Sequence, residues 1–87
     1  MLDNEGISMT LTVTLNGDKP HLAGSLAQKA AEGFASKHGL TGYQVVAIWQ
    51  NSDDPLFDEL DSAITNAAIE GLDDRDDFDG YQITPTD

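Results

Sequence analysis

Cysteine is missing altogether and basic residues nearly so: the chain sets four Lys and Arg against sixteen Asp and Glu, a formal charge of −12. Without cysteine there are no disulfides, no thiolate metal ligands and no cysteine nucleophile, and the fold depends on packing alone. Without cations the surface cannot displace counterions from a phosphate backbone or approach anionic lipid, which disfavours direct binding to nucleic acid or membrane. Long apolar runs are missing too. None approaches the roughly 20 residues that span a bilayer, and residues 1–7 (MLDNEGI) hold no basic stretch followed by an apolar one, so the expected compartment is the cytoplasm. Length is also scarce. At 87 residues one domain buries only about 60–65% of its unfolded surface, which argues against a deep substrate cavity. No repeat, low-complexity tract or linker divides the chain, and residues 1–7 and 85–87 are expected to be flexible ends of a single domain.

Catalytic signatures are equally sparse. His21 and His38 stand without a Ser, Cys or second ligand at a recognisable spacing, and His38 is accounted for as a cation at a helix C-terminus. There is no glycine-rich phosphate loop. Asp and Glu are so abundant that no pair singles itself out as acid and base. The run DDRDDFDG over 73–80 invites comparison with a calcium loop, but with Gly80 on the loop glycine only Asp77 and Asp79 fall on ligand positions. Arg75 takes the first ligand position and Thr86 that of the closing glutamate. The chain therefore reads as no enzyme and as holding no cofactor or dedicated metal.

What is present is patterned. Residues 8–15 alternate, with Met9, Leu11, Val13 and Leu15 on one side and Ser8, Thr10, Thr12 and Thr14 on the other, which predicts a half-buried strand. Asn16-Gly17 then either turns into a short return strand over 18–22, confined to an edge by Pro20, or opens a plain loop into a helix. Helical spacing predicts that first helix over 25–38, capped by Ser25 and closed by Gly39 ahead of Leu40. Its inner face would hold Leu26, Ala30, Gly33 and Phe34, its outer face Gln28, Lys29, Glu32 and Ser36. Gly33 on the inner side predicts a close neighbour there, the sheet.

Residues 43–50 (YQVVAIWQ) are rich in β-branched and aromatic side chains and apolar at both parities, which predicts a central strand with Trp49 in the core or at its rim. Ser52-Asp53-Asp54-Pro55 predicts the start of a second helix over 55–70. Leu60 centres its inner face with Leu56, Phe57, Ala63, Ile64 and Ala67, while Asp58, Asp61, Ser62, Thr65 and Ile69 turn outward. Gly71 ends the helix, Leu72 tucks back, and residues 81–84 add an edge strand stopped by Pro85. The predicted class is α+β: a two-layer sandwich in which a small, mostly antiparallel sheet of three to four strands carries two helices on one face.

The excess charge is concentrated. From Asp53 to Asp79 eleven carboxylates face a single base, Arg75, whereas the first fifty residues stand at only −1. Adaptation to a salty cytoplasm would spread acidity around the molecule, and an ordinary solvated face is the other plain account. Helix chemistry explains the front of the run, since Asp53 and Asp54 begin a helix and Asp58, Glu59 and Asp61 lie near its positive end. It does not explain the back. Asp73, Asp74, Asp76, Asp77 and Asp79 follow the negative end, where carboxylates are disfavoured. Asp58 and Asp61 lie about 4.5 Å apart along the axis, Glu59 and Glu70 flank them, and the loop aspartates continue the charge. Duplex DNA shows one charge per about 1.7 Å of axis, and a folded domain can present a similar field.

The expectation is a non-enzymatic module that uses Asp58, Glu59, Asp61, Glu70, Asp73, Asp74, Asp76, Asp77 and Asp79 to bind and inhibit a basic, nucleic-acid-binding protein. In size, charge and lack of catalytic residues the chain resembles, as a class, the small acidic proteins of phages and mobile elements that block restriction or CRISPR effectors; composition carries this resemblance, not a motif. The competing expectation is a small structural or weakly divalent-cation-binding domain whose acidic face is merely solvated. Neither the partner's identity nor the oligomeric state is written in the sequence.

Overall fold

A computed structural model describes residues 11–85; residues 8–10 of the predicted first strand, and the ends 1–7 and 86–87, lie outside the described residues. In chain order come β1 (Leu11–Leu15), α1 (His21–His38), α2 (Gly42–Trp49), α3 (Phe57–Glu70), a single 3-10 turn (Arg75–Asp77) and β2 (Tyr81–Pro85). The class is α+β, but with three helices and a two-stranded antiparallel sheet among the described residues instead of two helices and three to four strands.

The alternation that predicts β1 is seen in its burial, with Leu11, Val13 and Leu15 buried and Thr12 and Thr14 exposed. Its partner is the far end of the chain, with Leu11 opposite Pro85 and Leu15 opposite Tyr81. Gly17 alone in the Asn16-Gly17 turn has positive φ, at 81°, whereas a tight two-residue hairpin needs it at both positions. The loop alternative is therefore the one adopted. Asn16 instead donates to the Gly80 carbonyl at 2.9 Å, continuing the ladder with β2. That bond fixes Thr14–Gln82 and Thr12–Thr84 as the hydrogen-bonded pairs. Pro85, expected to stop the strand, is its last residue: it sits in a pair whose backbone groups face away from β1, where a missing N–H costs nothing to the ladder.

α1 begins four residues before Ser25, directly after Pro20, whose φ of −57° suits a helix entrance and whose carbonyl accepts from the Ala23 and Gly24 N–H groups. Its buried stripe is Ala23, Ala27, Ala31, Phe34 and Ala35, rotated by one residue, or about 100°, from the predicted face. Leu26 and Ala30 are half-buried and Gly33 is exposed. The alanines win because α3 comes very close: a Cβ added to Gly71 would lie 2.4 Å from the Ala23 Cα. Around Gly33, where a close neighbour was expected, an added Cβ meets nothing within 4 Å. The C-terminus is as predicted, Gly39 adopting left-handed φ 64° and ψ 38° while the Leu40 N–H donates to the Ala35 carbonyl at 2.8 Å.

The predicted central strand over 43–50 is helix α2. Thr41 and Gln44 form a capping box, the Thr41 hydroxyl accepting from the Gln44 N–H at 3.1 Å and the Gln44 side chain accepting from the Thr41 N–H at 2.8 Å. Val45 and Ile48 are buried and Val46 and Trp49 half-buried. Without that strand, no third strand pairs among the described residues.

α3 starts at Phe57, not Pro55, because residues 51–56 make turns first, with the Asp54 N–H donating to the Asn51 carbonyl and the Phe57 N–H to the Asp54 carbonyl, both at 3.0 Å. Asp54 still serves as a local cap, its Oδ1 accepting from the Leu56 N–H at 2.9 Å. Leu60 and Ile64 are fully buried, and Leu56, Phe57, Ala63 and Ala67 half-buried, as predicted; Ala68 joins the buried row. Side chains from both strands and all three helices merge into one apolar cluster, with Leu60, Ile64, Ile83 and Val45 its largest fully buried members.

Candidate acidic binding surface

No polar or charged residue is fully buried among the described residues, so every carboxylate described reaches the surface. Their surroundings divide them. Glu59 is clamped to the end of α1, its Oε2 lying 3.0 Å from both Lys37 Nζ and His38 Nε2. Those hydrogen bonds, His38's first and Lys37's second, hold the Glu59 carboxyl below its usual range. Asp79 is held by Lys19 Nζ at 3.1 Å. Of the nine predicted site residues these two are neutralised inside the molecule.

Asp61 has a different fate. Predicted to face outward, it is half-buried and accepts a 2.7 Å hydrogen bond from the Tyr81 hydroxyl. Tyr81 is itself buried, with the Trp49 ring centroid at 6.1 Å and that of Phe78 at 6.3 Å. Burial first, then the bond to Asp61, push the phenol's pKa up, while the Trp49 side chain acts on it in the opposite direction. Among the described residues no cation pairs with Asp61.

The remaining carboxylates are exposed. Asp58 lies one turn before Asp61 and Glu70 closes α3. Residues 73–77 (DDRDD) are all exposed, and the 3-10 turn is set locally by the Asp74 carboxylate, which accepts from the Asp76 N–H at 3.0 Å. Asp73, Asp76, Asp77 and Arg75 make no ion pair among the described residues. Because Glu70 ends α3 and the Tyr81 hydroxyl reaches Asp61, residues 71–80 bring the chain back along the helix by about 13 Å. Among the described residues no three His, Asp or Glu side chains converge as metal ligands.

A concavity, which the sequence did not reveal, lies along β1. A cleft of about 420 Å³ is lined by Val13 to Leu15 of β1 and by Lys19, Pro20, His21, Gly24, Ser25 and Gln28. With the helix predicted to start at Ser25, His21 and Ser25 were not placed together; they share this cleft without a hydrogen bond between them. No described helix is long and apolar enough to cross a membrane.

No protein-family model matches the chain, and neither does any curated protein or solved structure compared with it.

Proposed function

We propose that the protein is a non-enzymatic interaction module whose acidic surface occupies the nucleic-acid-binding face of a basic protein and inhibits it by presenting a DNA-like array of negative charge. The observation that carries this reading is the run 73–77, four exposed aspartates around one arginine that make no ion pair among the described residues. Carboxylates crowded after the negative end of a helix raise the free energy of the folded chain, and local structure accounts for only Asp74. A partner rich in Lys and Arg relieves that repulsion and gains steered association from it. Asp58, Asp61, Glu70, Asp73, Asp76 and Asp77 are the contact residues on this reading, with Asp74 both contact and cap. Glu59 and Asp79 drop to supporting roles, since their charges are already paired.

Immobilised protein should retain a nucleic-acid-binding protein from lysate at low salt and release it both at high salt and on addition of duplex DNA. Reversing Asp73, Asp74, Asp76 and Asp77 to Lys should abolish retention. Retention that survives the reversal, or a captured protein that duplex DNA cannot displace, would rule the mimic out.

A further inference from the structure

We propose that Asp61, held by the hydroxyl of Tyr81, whose ring neighbours that of Trp49, is the seat for a single arginine side chain of the partner, so that the acidic surface is gripped at one defined point as well as by diffuse attraction. The inference rests on the reading above and names the chemistry that its central contact requires.

Three observations converge on Asp61. It is the one half-buried carboxylate on α3, whereas Asp58, Glu59 and Glu70 are exposed. A carboxylate partly withdrawn from water interacts more strongly with an arriving cation than an exposed one, because less solvent screens the pair. Second, its charge is uncompensated. The ion pairs of the described residues are spent on Glu59 and Asp79, and the one donor on Asp61 is a neutral phenol bonded to Oδ1. Oδ2 receives no hydrogen bond among the described residues. A buried tyrosine hydroxyl needs an acceptor, but any neutral acceptor would satisfy it, so the Tyr81 bond does not by itself explain a charged side chain here.

Third, the surroundings suit a guanidinium better than an ammonium. Trp49 is half-buried, with its ring next to that of Tyr81 at the same junction of α2, α3 and β2, and an indole is the best aromatic surface for a cation. Arginine can stack on it and still offer parallel N–H donors to a carboxylate, which a lysine cannot. Asp58, one turn earlier on α3 and exposed, adds a second negative charge within reach. The Tyr81 hydroxyl acts as a positioning group, fixing the Asp61 rotamer before the cation arrives.

The experiment titrates the protein with hexa-arginine and hexa-lysine peptides at low salt, following the indole N–H resonance of Trp49, the sole tryptophan. The wild type should bind hexa-arginine more tightly and shift that resonance. Asp61→Asn, which keeps an acceptor for Tyr81, should lose about tenfold in affinity for hexa-arginine and erase the preference over hexa-lysine, with near-ultraviolet dichroism unchanged. Tyr81→Phe should weaken binding less while leaving the preference visible. Wild-type binding that Asp61→Asn matches, or that leaves the indole resonance still, would overturn the seat and spare the acidic-surface reading. No binding of either peptide by the wild type would overturn both.

Discussion

Gln28 performs for β1 what a third strand would otherwise do. Its side-chain amide accepts from the Val13 N–H at 2.8 Å and donates to the Leu11 carbonyl at 2.6 Å. Bonding to the carbonyl of one residue and the N–H of the residue two further on is the pattern of a parallel neighbour, so one amide stands in for one rung of a strand. Such an edge left open is a template for pairing with other chains, and the helix covers it with a residue that periodicity assigned to solvent. Gln28→Met keeps the length and apolar stem but leaves both backbone groups without a partner. Its expected cost is about 1–3 kcal/mol, read as a lower urea midpoint with unchanged slope. A midpoint equal to the wild type would mean that water satisfies the edge as well as the amide does.

Two glycines give opposite answers at the scale of the helix pair. Gly71→Ala drives a methyl against the Ala23 backbone, 2.4 Å from its Cα, and a backbone cannot swing aside as a flexible side chain can. The expected loss is about 1–3 kcal/mol. Gly33→Ala meets open space on an exposed helix surface and should gain about 1 kcal/mol from helix propensity. Thermal melts of the two variants therefore move apart; a stabilised Gly71→Ala would show that α3 is free to retreat from α1. The same pair marks the limit of pattern reading. A large residue such as Leu26 outweighs alanine in any hydrophobic pattern, yet Ala23, Ala27 and Ala31 form the closest contact because they are small. The 43–50 stretch failed for a related reason: its six apolar residues, two of them β-branched valines and one isoleucine, suit a buried strand or a buried helix, and the arbiter was Thr41 and Gln44, whose three-residue spacing is the capping signal. Where caps and spacing agreed, at Gly39 and along Leu60 and Ile64, the reading held. Of the candidate surface, the exposed loop aspartates could be found by charge alone. The pairing of Glu59 with α1, of Asp79 with Lys19 and of Asp61 with Tyr81 could not, since each joins residues at least 20 positions apart.

For the molecule as a whole, salt separates stability from binding. The formal charge of −12 sits on a small body, and only three ion-pair contacts, two of them to one carboxylate, offset it among the described residues. Self-repulsion therefore outweighs internal attraction. The Debye length falls from about 30 Å at 0.01 M salt to about 10 Å at 0.1 M, so added salt damps repulsion between distant carboxylates more than it weakens pairs in contact. The melting temperature should rise by about 5 °C as salt goes from about 0.01 M to physiological strength, which corresponds to about 1 kcal/mol for a domain of this size. Binding to a basic partner should weaken over the same range, because the field that strains the free protein is the field that attracts the partner. A domain whose acidity only keeps it in solution has the first response without the second. A melting temperature that falls steadily with salt would mean that the Lys19 and Lys37 pairs matter more than the repulsion. The strain attributed to the 73–77 loop would then have no thermodynamic trace.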